Sequence, residues 1–182
     1  MNRISLIICF AAVLFAGSCT DDNEPIPDTV SATDRTFILS TADGGMFEVK
    51  AGELAVAKGD TTRYMINSTL MSVRTFGQSM ITDHTIANEE LKTLADRKQV
   101  GIPATLSAAK QQKIDSLSAA TGSVFNTMYA RMMVASHQET ISIFEAESIN
   151  GDDNDIKSWA SGKIPSIKDH LNMAVMMRDS VK

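Results

Sequence analysis

The chain is predicted to be all-α, a four-helix bundle with one additional short helix, on three observations. Apolar residues recur at spacings of three, four and seven through four long stretches. Clusters of Gly, Pro, Asn and Asp separate those stretches, and none of them alternates with period two as a half-buried strand does. Four amphipathic helices of this length bury their apolar stripes most economically against one another.

The first helix is expected to start with Ser31 or Thr33 as N-cap, to carry Asp34 in its first turn and to run towards Lys58. One face holds Phe37, Thr41, Gly44, Gly45, Glu48, Gly52 and Ala55. Glycine inside a helix costs about 1 kcal/mol against alanine, so glycines here imply close approach of a neighbouring helix or a break. Glu48 shares this stripe, although a glutamate without a partner belongs in solvent.

Gly59-Asp60 and the threonines after it give a turn, and the second helix is expected to be capped at Ser68 or Thr69. Its face carries Val73, Phe76, Met80, Ile81, His84, Ala87, Leu91 and Leu94, and Gly101-Ile102-Pro103 opposes continuation. Thr105 to Ala120 reads as the shorter helix, closed by Gly122. A long central helix follows from about Ser123 to Asn150. The carboxylates of Asp152, Asp153 and Asp155 suit the start of the last helix, which is expected to be interrupted at Gly162 and Pro165 and to resume through Met177.

The functional signal is the placement of the three histidines. His137 lies among Ala130, Met133, Val134, Ile141 and Phe144 at helical spacing, His84 among Met80, Ile81, Ala87 and Leu91, and His170 among Ile167, Met173, Ala174 and Met177. All three are therefore expected to be buried, each on a different helix.

The ordered motifs Gly45-x-x-Glu48, Gly52-x-Leu54-Ala55, Phe76-x-x-x-Met80-x-x-Asp83-His84, Pro103, Phe125-Asn126-x-x-Tyr129, His137 and Ile164-Pro165-x-x-x-x-His170 span roughly residues 33 to 178. In this succession the chain resembles a bacterial family of secreted proteins of unknown function, usually labelled predicted outer-membrane proteins and grouped with the ferritin-like bundles. The resemblance implies a ferritin-like four-helix bundle. Two departures stand out: the family commonly has Asp where this chain has Asn126, and the segment from 58 to 68 is longer here. The stretch from Phe125 to His137 is also similar, more distantly, to a secreted ferritin-like family with histidine- and methionine-rich helices linked to copper.

In a bundle, side chains from facing helices meet in the core, and histidine and glutamate placed there commonly bind metal. Glu48, His84, His137 and His170 supply one ligand from each main helix, an N3O set suited to Zn²⁺, Fe²⁺, Mn²⁺ or Cu²⁺. The di-iron pattern, Glu-x-x-His on two helices, is missing, because Ile81, Val134 and Ile167 stand three before the histidines. Met80 and Met133 lie one turn from a histidine, as thioether ligands for copper or as core filler. Asp83 and Asp169 each precede a histidine, where they can orient an imidazole on a neighbouring helix or stand in solvent. Glu145 and Glu147 are further acid or base candidates, and Glu145 is an alternative ligand. Catalytic chemistry finds little footing: no serine sits in a strand-turn-helix elbow, and Gly44-Gly45 lacks the P-loop lysine. Two readings stay open, a metal-binding protein for storage, buffering or redox protection and a scaffold or interaction module whose histidines hold the core.

Residues 1 to 18 read as a secretory signal, with Arg3, an apolar run from Ile4 to Ala16 and small residues before Cys19. Ala16-Gly17-Ser18-Cys19 resembles a bacterial lipobox, implying lipidation at Cys19 and an envelope protein anchored to the membrane, the outer membrane by the family labels; ordinary signal cleavage is the other reading. The acidic run from Thr20 to Glu24 resembles a surface-export signal of lipoproteins in Bacteroidetes and reads equally as a solvated tether, so residues 19 to 30, with Pro25 and Pro27, form a linker. Residues 31 to 182 form the domain. Cleavage discards Cys9 and leaves no pair for a disulfide, so stability rests on a core; a chain of about 150 residues buries close to 70% of its unfolded surface. Loss of Arg3 moves the formal charge from −5 to −6. A net acidic chain without a Lys/Arg cluster is a poor nucleic-acid binder.

Overall fold

The computed structural model describes residues 30–181. The expected signal, Cys19 and nearly all of the linker lie outside them. The described chain forms helices α1 (Ala32–Lys58), α2 (Val73–Arg97), α3 (Ala108–Ala119), α4 (Gly122–Asn150) and α5 (Asn154–Ser180), with strands β1 (Tyr64–Ile66) and β2 (Thr69–Met71) between α1 and α2. No helix among the described residues is long and apolar enough to cross a membrane.

Cross-helix pairs give the topology. Gly45 faces Asn88 and Gly52 faces Gly77, so α1 and α2 are antiparallel neighbours. His137 meets His170 and Phe144 meets Trp159, so α4 and α5 are too. Phe37 against Phe144 joins α1 to α4, and Asp83 against His170 joins α2 to α5. α2 and α4 are thus parallel on one diagonal, and the chain from 98 to 121 must return along the bundle, carrying α3 against α1. Two antiparallel pairs joined by one long crossover are the ferritin-like arrangement.

Glycine decides how closely the first pair approaches. A Cβ on Gly52 would lie 2.9 Å from the Gly77 carbonyl oxygen, and one on Gly77 would lie 2.6 Å from the Ala55 Cβ. The close approach expected from the sequence is therefore at Gly52, whereas Gly44 has open space around it.

Two expectations are corrected. A short antiparallel hairpin replaces the simple turn before α2, pairing Tyr64 with Met71 and Ile66 with Thr69. Asn67 and Ser68 both take positive φ, 48° and 64°, as a two-residue hairpin turn requires. α2 then starts at a capping box, with the Ser72 N–H donating to Thr75 Oγ1 at 2.8 Å and the Thr75 N–H to Ser72 Oγ at 3.2 Å, rather than at Ser68 or Thr69. The second correction is that α5 runs unbroken through Gly162 and Pro165. Pro165 cannot donate to the Ser161 carbonyl, but both residues are exposed, so that carbonyl faces solvent and the flanking turns stay packed.

α2 ends where Gln99 takes a positive φ of 55° and the Val100 N–H reaches the Ala95 carbonyl at 2.9 Å, a Schellman closure without glycine. Asn126 is a structural clasp: its amide donates to Asp60 Oδ2 at 2.8 Å and its carbonyl accepts the Asp60 N–H at 3.2 Å, tying α4 to the loop after α1.

The apolar interior is divided. One half gathers Phe47, Phe76, Met80, Tyr129, Met133 and Met177, and the other Phe37, Ile38, Leu91, Phe144, Ile156 and Ile167. On α2, α4 and α5 the gap between the two halves is where the histidines sit.

Candidate functional site

The layer between the two apolar halves contains Glu48, His84, His137 and His170, at 1%, 8%, 0% and 6% exposure. Each comes from a different principal helix, and helical spacing turns each inward with the core residues one turn away. The imidazole centroids stand 5.4, 5.4 and 5.5 Å apart, a near-equilateral triangle.

One nitrogen of every ring is engaged. His84 Nδ1 lies 3.0 Å from Glu48 Oε2. His137 Nδ1 lies 2.8 Å from the Met133 carbonyl oxygen and 3.4 Å from Glu48 Oε1. His170 Nε2 lies 3.0 Å from Asp83 Oδ2. Every one of these partners is an acceptor, so the engaged nitrogen is the one that carries the proton. Glu48 Oε1 also accepts from the Ser136 hydroxyl at 2.8 Å.

The opposite nitrogens, His84 Nε2, His137 Nε2 and His170 Nδ1, are buried and have no hydrogen-bond partner. A buried polar atom left unsatisfied costs roughly 1–3 kcal/mol, so three together are a substantial local penalty. One nitrogen from each ring lies within 4.8 Å of the other two. A single ion with metal–nitrogen bonds of about 2.0–2.1 Å can be shared among them after small ring rotations. The three buried histidines can hold a metal ion.

The charges complete the picture. Burial works to raise the Glu48 carboxyl, but His84, His137 and the hydrogen bonds outweigh it and hold Glu48 well below the usual carboxylate range. Burial likewise opposes charge on His84, yet Glu48 beside it keeps this imidazole above its ordinary value. His137 is pushed down by burial and by charge on His84. His170 is pushed down to about 4 by burial and by its two neighbours. Without metal, the layer thus favours a Glu48–His84 ion pair over charge on His137 or His170.

Several sequence candidates lie elsewhere. Asp169 is exposed on the outside of α5. Glu145 is half-exposed and pairs with Lys168 at 2.7 Å. Met80 and Met133 are fully buried in the core, and it is the main-chain carbonyl of Met133 that reaches the histidine layer. Glu48 and Asp83 meet the engaged nitrogens, not the three that are left over. Sequence reasoning missed Ser136, which no motif marks, although its position beside His137 places it next to the layer. Glu147, an acid or base candidate from the sequence, is buried at 2% exposure beside Asp34 at 0%, a pairing across helices that no motif marks.

A cavity of about 200 Å³ adjoins the layer, lined by Glu48, Asp83, His84 and His170 on one side and by Thr41, Asn88, Trp159 and Lys163 among others. A larger open groove of about 540 Å³ between α1, α3 and α4 is lined mainly by Phe47, Val124, Met128 and Met132 and does not touch the histidines.

No curated protein and no solved structure matches the chain. The model of a domain of unknown function, DUF4142, matches residues 20–177, which takes in all four principal helices and the whole histidine layer, and the chain belongs to that family.

Proposed function

We propose that this protein binds one transition-metal ion at the centre of its bundle, with His84 Nε2, His137 Nε2 and His170 Nδ1 as ligands. The observations that carry the proposal are three buried, unpartnered nitrogens, each opposite a nitrogen that donates to a carboxylate or carbonyl, and the approach of one nitrogen of each ring to within 4.8 Å of the other two. Metal-bound histidines are typically held in this way, because the outer acceptor fixes the tautomer and raises the basicity of the ligating nitrogen. Glu48 and Asp83 serve as those acceptors, and their two negative charges balance a divalent cation. An all-nitrogen donor set favours Zn²⁺ or copper over Mn²⁺ or Fe²⁺.

The ligating nitrogens must be free of protons, so affinity should fall as pH drops. Chelator-stripped protein titrated with Zn²⁺ should take up one equivalent and melt at higher temperature, since a ligand specific to the folded state stabilises it. His137→Ala should lose more affinity than the roughly 10–100-fold that removal of an outer partner costs. Melting curves of wild type unmoved by Zn²⁺, Cu²⁺ and Mn²⁺ would leave the scaffold reading in its place, with histidines that serve only the core.

The proposal includes a lipid anchor at Cys19 that holds the domain at the cell envelope, supported by the apolar run ending in Ala16-Gly17-Ser18-Cys19. Metabolic labelling with palmitate tests it: label should be present on wild type and absent from Cys19→Ala, and label persisting on the variant would refute the anchor.

A further inference from the structure

The seam between α2 and α5 differs from that between α1 and α2. α1 and α2 touch backbone to backbone at Gly52 and Gly77. α2 and α5 are instead bridged by side chains, with Asp83 to His170 at 3.0 Å, the Trp159 indole N–H donating to Glu90 at 3.0 Å, and Lys163 paired with Glu90. The cavity of about 200 Å³ occupies this seam and has His84 and His170 in its wall. His137, on the far side of the triangle, does not line it.

Two observations bear on what the cavity holds. The Thr41 hydroxyl lines it and is buried without a hydrogen-bond partner. The carboxylates closest to the triangle are already engaged, Glu48 by His84 and Ser136 and Asp83 by His170, so neither is free to close the coordination of an ion. Zinc-type sites with three protein ligands keep a fourth position open, whereas structural sites fill all four with protein.

Resting on the three-histidine reading above, we infer that the bound ion keeps an exchangeable coordination position facing the α2/α5 cavity, which takes a small inorganic anion in place of water. The size follows from the space: at about 30 Å³ per water, the cavity holds roughly six or seven waters, enough for azide or bicarbonate and too little for a nucleotide. Thr41 supplies a hydroxyl to the outer end of such a ligand, and Lys163 sets a cation in the cavity wall. The reaction is ligand exchange alone: one metal–water bond breaks, one metal–anion bond forms, and no electron is transferred.

The test uses the full chain loaded with Co²⁺, whose visible spectrum reports coordination, titrated with sodium azide. Saturable change in the visible bands is expected for wild type. Ala87→Phe, which fills the cavity without altering any histidine or its acceptor, should still bind Co²⁺ but weaken azide at least tenfold; Ser166→Phe, at the exposed edge of the same cavity, serves if the first variant does not fold. Co²⁺ bound with a spectrum that azide leaves unchanged overturns the open position while the metal site stands. Equal azide affinity in wild type and the filled variants overturns the cavity as the route. Failure of wild type to bind Co²⁺ at all overturns the metal site and this inference with it.

Discussion

Two buried polar clusters in the bundle share a chemistry and differ in how far they close on themselves: one oxygen, Glu147 Oε1, is left without a partner in the first, and three ring nitrogens in the second. At the end of the bundle, the Asp34 carboxylate accepts the N–H groups of Asp152 at 3.0 Å and Asp153 at 3.1 Å, together with the Ser31 hydroxyl at 2.9 Å. These bonds pin the α4–α5 turn to the start of α1, and against the opposing effect of burial the Glu147 side chain and these bonds hold Asp34 below its ordinary value. Glu147 beside it is pushed up to about 7, first by burial and then by Asp34, so a protonated Glu147 donates towards the Asp34 carboxylate. In the central layer the acceptors are likewise engaged, but three buried ring nitrogens are left without a partner, and one nitrogen of each ring lies within 4.8 Å of the other two. A cluster whose groups mostly find their partners locally fastens a fold. One that leaves several unpartnered polar atoms inside a packed core carries a penalty that a ligand can relieve.

Exchanging carboxylate for amide separates the two roles most sharply. Asp34→Asn loses a charge-assisted acceptor of two backbone donors and should destabilise the protein by roughly 3 kcal/mol, because hydrogen bonds to charged groups contribute about 1.5–3 kcal/mol each. Its metal affinity should equal that of wild type. Glu48→Gln should do the reverse. Without metal, the amide oxygen still accepts the His84 Nδ1 proton, so urea denaturation should show a loss within about 1 kcal/mol. Zinc affinity should fall about 10–100-fold as the outer carboxylate is lost. Equal loss of metal affinity in both variants would merge the clusters into one network and break the comparison.

A smaller effect concerns pH. Glu147 binds its proton more tightly folded than unfolded, so between its ordinary value of 4.5 and about 7 the folded state holds more protons and stability falls as pH rises. The loss across that window is at most about 3 kcal/mol, at 1.36 kcal/mol per unit. Glu147→Gln keeps a neutral donor at every pH and should flatten this component. The stability difference between wild type and variant, measured from pH 4.5 to 7, should shrink steadily in the variant's favour. A pH-independent difference would mean that Glu147 shares no proton with Asp34.

The smallest effects come from the glycine beside each cluster. A Cβ on Gly151 would meet the Glu147 carboxyl at 2.3 Å and the Glu147 main-chain oxygen at 2.8 Å, and backbone cannot step aside. Gly151→Ala should cost about 1–3 kcal/mol, as overpacking does. A Cβ on Gly45 would meet only the Asn88 side chain, which has the cavity to turn into. Gly45→Ala should therefore lie within about 1 kcal/mol of wild type, the helical gain of alanine offsetting the displaced amide. Thermal melts of the pair check the order, and a reversed order would mean that Asn88 is fixed in place.

Much of the fold was legible because local periodicity survives into the structure. Ser31 caps α1, the long helices occupy the stretches whose apolar spacing is 3.6, and Gly52 marks a close crossing because nothing but a neighbouring backbone repays a mid-helix glycine. The hairpin was not legible, since strands of three residues are too short to display alternation. Nor was the continuity of α5: a proline reads as a break in sequence, and only its place on the exposed face shows that the lost hydrogen bond lies at the solvent side.

The sequence by itself determined that His84, His137 and His170 turn inward on three helices and that Glu48 shares the inner stripe of a fourth, because helical pitch alone fixes the face on which a residue stands. Only the tertiary structure decided that these faces meet at one level, that Asp83 reaches His170 while Asp169 faces solvent, and that Glu48 addresses the proton-bearing side of its histidines. Those outcomes depend on the axial shift and rotation of one helix against another, which are set by the packing of Gly52 on Gly77 and of the two apolar halves, and periodicity along a single helix does not encode them.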